Sequence, residues 1–206
     1  LALALPIGIY SALHHHSRAD YIINFLALGG ISIPVFWLAL MLIVVFSVWL
    51  GWLPAGGMHT AGAGSFLDSV RHMVLPVITL IIASIGCLTR YVRAAMIEVM
   101  RHDYIRTARA KGLSKNTIIF KHALRNAMIP VVTVLALSFG TLFSGALITE
   151  TMFSYLGMGK LIYDSIIGSD YNMALVSLLF ATALILFSNL AADLVYAWLD
   201  PRINYR

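Results

Sequence analysis

The sequence contains little charge and almost no cysteine. Only 11% of its 206 residues are Asp, Glu, Lys or Arg, whereas 60% are hydrophobic. A soluble domain carries about 25% charged residues. The single cysteine, Cys87, excludes an internal disulfide framework. The composition therefore indicates an integral membrane protein, and at about 20 residues per span plus loops the length suits one all-α bundle of transmembrane helices.

The sequence also lacks the short motifs of several enzyme classes. No G-x-x-x-x-G-K-[ST] phosphate-binding loop occurs, so any ATP chemistry must reside on another polypeptide. Neither H-E-x-x-H nor G-x-S-x-G is present, which argues against an intramembrane hydrolase. The adjacent His14, His15 and His16 do not converge on one ion without help. We therefore expect a solvated loop there, with no metal site and no cofactor.

Long uncharged runs predict the membrane spans. No Asp, Glu, Lys or Arg lies between Tyr21 and Leu67. About five spans are expected: an incomplete first one over residues 1–13, then residues 33–53, 72–90, 126–149 and 171–192. The first run is too short to cross a bilayer, so we expect an N-terminally truncated chain that begins inside a helix. A signal peptide is the alternative, but the basic n-region and the small-residue cleavage site are missing.

One long polar segment, Asp103 to Pro130, interrupts the apolar sequence. Six of the chain's 14 Lys and Arg residues lie inside it: Arg106, Arg109, Lys111, Lys115, Lys121 and Arg125. A short basic loop between two spans is expected to face the cytoplasm. Gly112 can adopt the left-handed cap conformation, and Ser114 can cap the next helix through the amide of Asn116 or Thr117. The segment is therefore predicted to form two short helices with a defined corner. The membrane spans explain where the basic residues are placed along the chain, so no nucleic-acid partner is expected.

The same segment resembles the EAA loop of bacterial ABC-importer permeases. Ala108, Gly112 and Leu124 stand where that loop has its second alanine, its glycine and the leucine of its closing motif. The wording RTARAKGL...HALRNAMIP is similar to the dipeptide and oligopeptide branch. Arg106 and Arg125 replace the glutamate and the proline of the general pattern, and both departures are typical of that branch. The resemblance runs from about residue 31 to residue 206.

The resemblance implies a polytopic transmembrane helical bundle with the ABC importer type I permease fold, in one permease domain over residues 1–206. It implies a location in the bacterial cytoplasmic (inner) membrane and the transport of dipeptides or oligopeptides. A nickel chelate or another small solute is an alternative. A passive channel is less favoured, because a channel has no need of a rigid basic docking corner.

The partners follow from the same resemblance. The chain is expected to be a transporter membrane subunit and not an enzyme, with ATP hydrolysis on separate ABC ATPase subunits. A second permease subunit, homologous or identical, supplies the other half of the pathway. An extracytoplasmic solute-binding protein and the lipid bilayer complete the expected set.

Two groups of site residues are predicted. Within a cytoplasmic coupling loop at about residues 101–126, the contact with the ATPase is expected at Arg106, Thr107, Ala108, Arg109, Lys111, Gly112 and Leu113. Thr141, Ser144 and Glu150 are expected to border the solute path, because polar groups near the outer end of an apolar helix need water or a partner. The alternatives are close helix packing for the two hydroxyl residues and a simple surface position for Glu150.

The basic residues also predict the orientation. If Arg71 and Lys160 lie outside, the other 12 of the 14 Lys and Arg residues fall in the loops and ends assigned to the inside. Cytoplasmic loops carry an excess of Lys and Arg. The C-terminus and the histidine triplet are therefore expected on the cytoplasmic side.

Overall fold

The computed structural model describes residues 1–62, 65–143 and 145–199, with side chains throughout except at 136, 137, 139–141, 143, 192 and 196–199. The regular elements in these ranges are helices, which confirms the predicted all-α class. In chain order they are α1 (Ala4–Leu13), α2 (Arg18–Ser32), α3 (Val35–Leu42), the π-helix π1 (Ile43–Trp49), α4 (Phe66–Met100), α5 (Asp103–Ala110), the π-helix π2 (Thr117–Ala123), α6 (Leu124–Phe143), α7 (Leu147–Met152), α8 (Met158–Ile167) and α9 (Tyr171–Leu199).

Three helical stretches of the described chain are long and apolar enough to cross a membrane: Phe66–Met100, Thr117–Leu135 and Tyr171–Val195. The pair Arg18–Ser32 and Val35–Trp49 passes the same test together but is bent by 97° at its break, and it adds a fourth span if it counts as one. Ala4–Leu13 is a shorter apolar helix. The expected total of about five spans, the first incomplete, stays a prediction.

Large apolar side chains cover much of the surface of the chain. Phe25, Trp49 and Phe66 are 76%, 76% and 86% exposed, and many Leu, Ile and Val side chains of the long helices are exposed as well. A soluble monomer rarely exposes contiguous apolar patches of this extent. The surface is therefore the one expected for helices that contact lipid or other membrane-embedded chains.

The helical segment found where a span was predicted over residues 33–53 is shorter than that prediction. Pro34 has an extended backbone (φ −60°, ψ 133°), and because a proline disfavours the helical conformation of the preceding residue, α2 ends at Ser32. The helix that follows has eight residues in α3 and seven in π1. At about 1.5 Å per residue, 15 residues reach about 22 Å, less than the roughly 30 Å of a bilayer core.

The span predicted over residues 126–149 differs from the structure at both ends. π2 continues directly into α6, so the second short helix expected in the polar segment is the beginning of a long one. α6 ends at Phe143, and Gly145 follows with a φ of +95°. A Cβ at Gly145 would overlap the backbone of Gly159. Glu150 consequently lies in the separate helix α7 and not at the end of a span.

The chain divides into two compact units. Unit 1 contains Leu1–Gly30, Ile85–Ser138 and the C-terminal segment from Ser188, and unit 2 contains Ile31–Ser84 and Phe139–Phe187. The buried apolar cluster of unit 1 joins α4, α5, π2 and α6, and Leu5, Ile9, Ala12 and Leu13 of α1 pack against it. Its members are Val92, Ala95, Met96, Val99, Ile105, Ala108, Ile118, Ile119, Ala123, Ala127 and Val131.

Two glycines bring helices of unit 1 close together. A Cβ at Gly8 of α1 would lie 2.8 Å from Val92 Cβ and 2.9 Å from the Thr89 carbonyl oxygen of α4. A Cβ at Gly86 of α4 would overlap the carbonyl oxygen of Ala27 in α2. Small residues at such contacts let the backbones of membrane helices approach closely. α1 and α2 are therefore both held tightly against α4.

The core of unit 2 is smaller. Ala39, Leu75 and Phe153 are almost completely buried, at 0%, 1% and 1% exposure. Partly buried apolar side chains surround them: Leu42, Ile43, Phe46, Leu53, Met152 and Tyr155. Phe153 follows the end of α7, so the core fixes α7 against α3 and π1.

Candidate functional site

The turn after α5 is closed by backbone hydrogen bonds. The Gly112 N–H donates to the Arg109 carbonyl at 2.9 Å, and the Leu113 N–H donates to the Ala108 carbonyl at 3.3 Å. Gly112 has a φ of +75°, which confirms the predicted left-handed cap. This pair of bonds is a Schellman motif. The helix and its turn, residues 103–114, form one stiff element that we call the α5 corner.

The turn is also tied to the helix that follows it. The Thr117 N–H donates to Ser114 Oγ at 3.3 Å, and the two hydroxyl oxygens lie 2.8 Å apart. The predicted cap by Ser114 is therefore confirmed. Caps on both sides of the turn leave the corner with little freedom to change its angle.

One side of α5 is buried in the core of unit 1. Ile105 is 0% exposed and Ala108 is 6% exposed, and both belong to the apolar cluster with Val92 and Met96 of α4. Among the seven residues predicted to contact the ATPase, Ala108 is the only buried one. Its methyl group therefore packs in the core and anchors the corner there, and it leaves almost no surface for a partner.

The opposite side of α5 is exposed and basic. We call the exposed side chains of Arg106, Thr107, Arg109 and Lys111 the corner face. The Arg106 guanidinium lies 3.5 Å from Asp103, but these side chains are 77% and 94% exposed, so the pair contributes little stability. Within the described residues, no ion pair engages Arg109 or Lys111. Both cations are therefore available to an external acceptor.

Two exposed aromatic side chains, one within the α5 corner and one in π2, were missed by the sequence reasoning. Tyr104 is 42% exposed and Phe120 is 61% exposed. Burial raises the pKa of the Tyr104 phenol, and a hydrogen bond with Asn126 opposes this more weakly. The available signal for Tyr104 was its position on α5, because it lies outside the i, i+3 stripe of Ile105 and Ala108 that faces the core.

The predicted solute-path residues are only partly described. Thr141 lies in α6, but its side chain is outside the described part, and Ser144 is outside the described residues altogether. Glu150 is described in full. The structure therefore places one of the three side chains, and the other two lie outside its described part.

Both carboxylate oxygens of Glu150 accept backbone hydrogen bonds. The Ala146 N–H donates to Oε1 at 2.9 Å, and the Lys160 N–H donates to Oε2 at 2.7 Å. Gly157 and Gly159 leave room for the carboxylate, because a Cβ at Gly157 would overlap it. Glu150 therefore joins the first turn of α7 to the first turn of α8, where a negative charge also complements the helix dipole.

Hydrogen bonds hold part of the loop before α4 in place. His72 is 6% exposed, and its Nδ1 lies 2.9 Å from the Gly56 carbonyl oxygen. The Gly57 N–H donates to the Phe153 carbonyl at 2.8 Å. Asp68 accepts the backbone N–H of Thr60 at 2.6 Å and its hydroxyl at 2.7 Å. Residues 56–60 are thus fastened to α4 and to the end of α7.

Comparison with known proteins gives a family for this arrangement. Residues 4–205 match the family model described as binding-protein-dependent transport system inner membrane component. The chain is 42% identical over 206 residues to the oligopeptide transport system permease protein AppB of Bacillus subtilis (strain 168). The aligned region covers 100% of this chain and 65% of that relative.

Two further relatives are also named as peptide transport system permease proteins. The di/tripeptide transport system permease protein DppB of Pseudomonas aeruginosa (strain UCBPP-PA14) is 41% identical over 221 residues, which covers 98% of this chain and 66% of the relative. The dipeptide transport system permease protein DppB of Escherichia coli (strain K12) is 39% identical over 227 residues, which covers 100% and 67%. The chain thus spans about two thirds of the length of these curated relatives. It belongs to the family of binding-protein-dependent transport system inner membrane components.

Proposed function

We propose that the chain is the transmembrane permease subunit of an ATP-driven ABC importer that carries dipeptides or oligopeptides across the bacterial cytoplasmic membrane. The observation that carries this proposal is the α5 corner. A loop that transmits force to a membrane helix has to be stiff, anchored on one side and free on the other. The Schellman closure at Gly112, the buried Ile105 and the exposed corner face supply these three properties.

The corner face suits a protein partner with acidic or carbonyl-lined surface. Arg109 and Lys111 can donate charge-assisted hydrogen bonds, and arginine in particular binds carboxylates in a bidentate manner. Attraction to an anionic inner leaflet is the competing use of the same charges, at about 1 kcal/mol per basic residue near the surface. The stiffness of the turn favours the protein partner, because attraction to lipid requires charge but no fixed angle.

The proposed partners and working cycle follow from this docking. The chain has no phosphate-binding loop motif, so a separate pair of ABC ATPase subunits binds and hydrolyses ATP. A second permease subunit completes the pathway, and an extracytoplasmic solute-binding protein delivers the solute. Closure of the ATPase subunits displaces the two α5 corners, and the attached helices switch from inward-facing to outward-facing.

Peptides are proposed as the solute because all three relatives described above are named as oligopeptide, di/tripeptide or dipeptide transport system permeases. The test is uptake by the reconstituted complex, assayed with labelled dipeptides, oligopeptides and nickel chelates together with candidate binding proteins. Peptide uptake that depends on ATP supports the proposal. Uptake of a nickel chelate alone would reassign the solute, and uptake without ATP would indicate a channel.

We further propose that Thr141, Ser144 and Glu150 border the solute path. The support is the polar character of these three residues, which stand near the end of a long apolar stretch of the sequence. Since both oxygens of Glu150 accept backbone N–H groups, its contribution is to hold α7 and α8 in place beside the path. Direct contact with solute is left to the two hydroxyl residues.

The docking proposal is tested by Arg109→Glu, with Arg101→Glu as a matched control. Arg101 is an exposed arginine at the first position of the predicted coupling loop, but it precedes the α5 corner and is not one of the seven predicted contact residues. Docking through the corner face requires that Arg109→Glu inserts in the membrane but loses co-purification of the ATPase, or retains it without solute-stimulated hydrolysis. Arg101→Glu should behave as wild type. Equal losses in both variants would instead indicate that the positive charge serves the membrane surface.

A further inference from the structure

An ion pair between a buried carboxylate and a partly buried guanidinium joins α2 to α4 inside unit 1. Asp20 of α2 is 2% exposed. Arg93 of α4 donates from Nε to Asp20 Oδ1 and from one terminal nitrogen to Oδ2, both at 2.7 Å. This is the bidentate geometry in which a planar guanidinium holds a carboxylate in one orientation. The two residues are 73 positions apart in the sequence.

Three other groups complete the coordination of the Asp20 carboxylate. The Ser11 hydroxyl donates to Oδ1 at 2.5 Å, and the Asn24 side-chain amide donates to the same oxygen at 2.9 Å. The His16 backbone N–H donates to Oδ2 at 3.0 Å. Asp20 therefore fastens the end of α1, the turn after it and the first turns of α2 to one point on α4.

The ion pair does not serve stability alone. Removing two charges from water is costly, and apolar residues of similar volume often give equal or greater stability. What an ion pair with two parallel hydrogen bonds adds is a fixed angle and register between the helices that carry it. Apolar contacts, by comparison, tolerate small sliding movements.

The location of Arg93 gives that fixed register a use. Its neighbours on α4, Val92 and Met96, pack in the cluster that contains Ile105 and Ala108 of α5. The part of α4 that bears the ion pair is thus also the part on which the α5 corner rests. α1 packs against the same cluster, and Ser11 near its end binds Asp20.

We infer that Asp20 and Arg93 are positioning residues for coupling: they lock α1 and α2 to the α4 segment beneath the α5 corner, so that these helices move as one body when the corner is displaced. The inference rests on the proposed function, since it assigns a task within the same docking mechanism. Both residues act through the packing of α4 against α5.

The test compares Arg93→Lys and Asp20→Asn in the complete transporter, with Arg90→Lys, at an exposed arginine of the same helix, as the matched control. Lysine keeps the charge but cannot form the two parallel bonds, and asparagine keeps one acceptor oxygen but not the charge. We expect each variant to retain the ATPase and its basal hydrolysis. The stimulation of hydrolysis by solute and binding protein should fall by about tenfold, as for the loss of one charge-assisted hydrogen bond. The control should match wild type.

A second measurement separates this inference from the proposed function. Hydrogen exchange of the residue 11–24 backbone can be followed with and without ATP, whether or not the complex transports peptides. In wild type, ATP should change exchange in this segment and in α5 together, and in Arg93→Lys only in α5. Concerted changes in the variant, or wild-type stimulation of hydrolysis, would overturn the inference. Failure of both variants to insert would overturn it as well, because the ion pair would then serve folding alone.

Discussion

Replacing Glu150 with glutamine tests whether this carboxylate joins two helices or meets the solute. In the structure its two oxygens accept the N–H groups of Ala146 and Lys160, at 2.9 and 2.7 Å. Glutamine has nearly the same shape but one acceptor oxygen only, and its amide nitrogen is a donor. One of the two backbone N–H groups therefore loses its partner and faces another donor.

The size of the effect follows from these contacts. A hydrogen bond to a charged group contributes about 1.5–3 kcal/mol, and a charge near a helix N-terminus about 0.3–1 kcal/mol. Because Glu150 is only half-buried, solvent screening favours the lower end of these ranges. We expect a loss of about 2 kcal/mol, which corresponds to roughly a thirtyfold increase in local opening.

Hydrogen exchange of peptides from residues 145–160 measures this opening directly. Glu150→Gln should accelerate exchange in α7 and in the first turn of α8 by about thirtyfold, without change in the peptides of unit 1. Asp164→Asn is the matched control, since Asp164 is a 53% exposed carboxylate whose partner is the Lys160 side chain at 2.9 Å. An exposed pair contributes about 0–1 kcal/mol, so the control should change exchange by fivefold at most.

The outcome separates the two roles of Glu150. Unchanged exchange with reduced peptide uptake would refute the joining of α7 to α8 and assign the carboxylate to the solute. Unchanged exchange with normal uptake would leave Glu150 as a surface residue and refute both roles. Faster exchange at wild-type uptake would confirm the joining of the helices and remove the segment from the solute path.

Three further predictions concern the fold and the orientation. Gly112→Val should lower the thermal unfolding temperature in detergent, because a β-branched side chain at φ +75° costs roughly 1 kcal/mol or more. Gly112→Asn should lower it less. Equal unfolding temperatures for the valine and asparagine variants would contradict the left-handed cap. Gly86→Ala should destabilise unit 1 by forcing α2 and α4 apart. Gly29→Ala, whose added methyl group would meet nothing within 4 Å, should stabilise unit 1 by about 0.5–1 kcal/mol. A more stable Gly86→Ala than Gly29→Ala variant would refute the close approach of the two helices. In a cysteine-free background, His59→Cys should react with an impermeant thiol reagent from outside and Ser114→Cys should not; labelling of the second in intact cells would invert the topology.

The features that the sequence predicted well are the local ones. The conformation of Gly112 and the cap by Ser114 depend on residues within three positions of each other, and both are confirmed. The long apolar runs predicted α4 and α9 because length and hydropathy suffice for such helices. The pattern of the polar segment was specific enough to give the family.

The features that it missed depend on distant residues or on backbone detail. No local signal links Asp20 to Arg93, since the pairing needs α2 to pack on α4. The 97° bend had a signal in Pro34 that a count of apolar residues overlooked. The role of Glu150 required the break at Gly145, because a continuous helix would have placed the carboxylate at the membrane surface.

The division of α5 into a buried and an exposed side separates the residues that set the fold from those that can vary. The angle of the corner is set by backbone bonds and by the packed side chains beneath it, and none of these depends on the corner face. The four side chains of that face are therefore free to change without disturbing the fold. Under the proposed docking, exchanging these four side chains should match the chain to a different ATPase without altering the helices that cross the membrane.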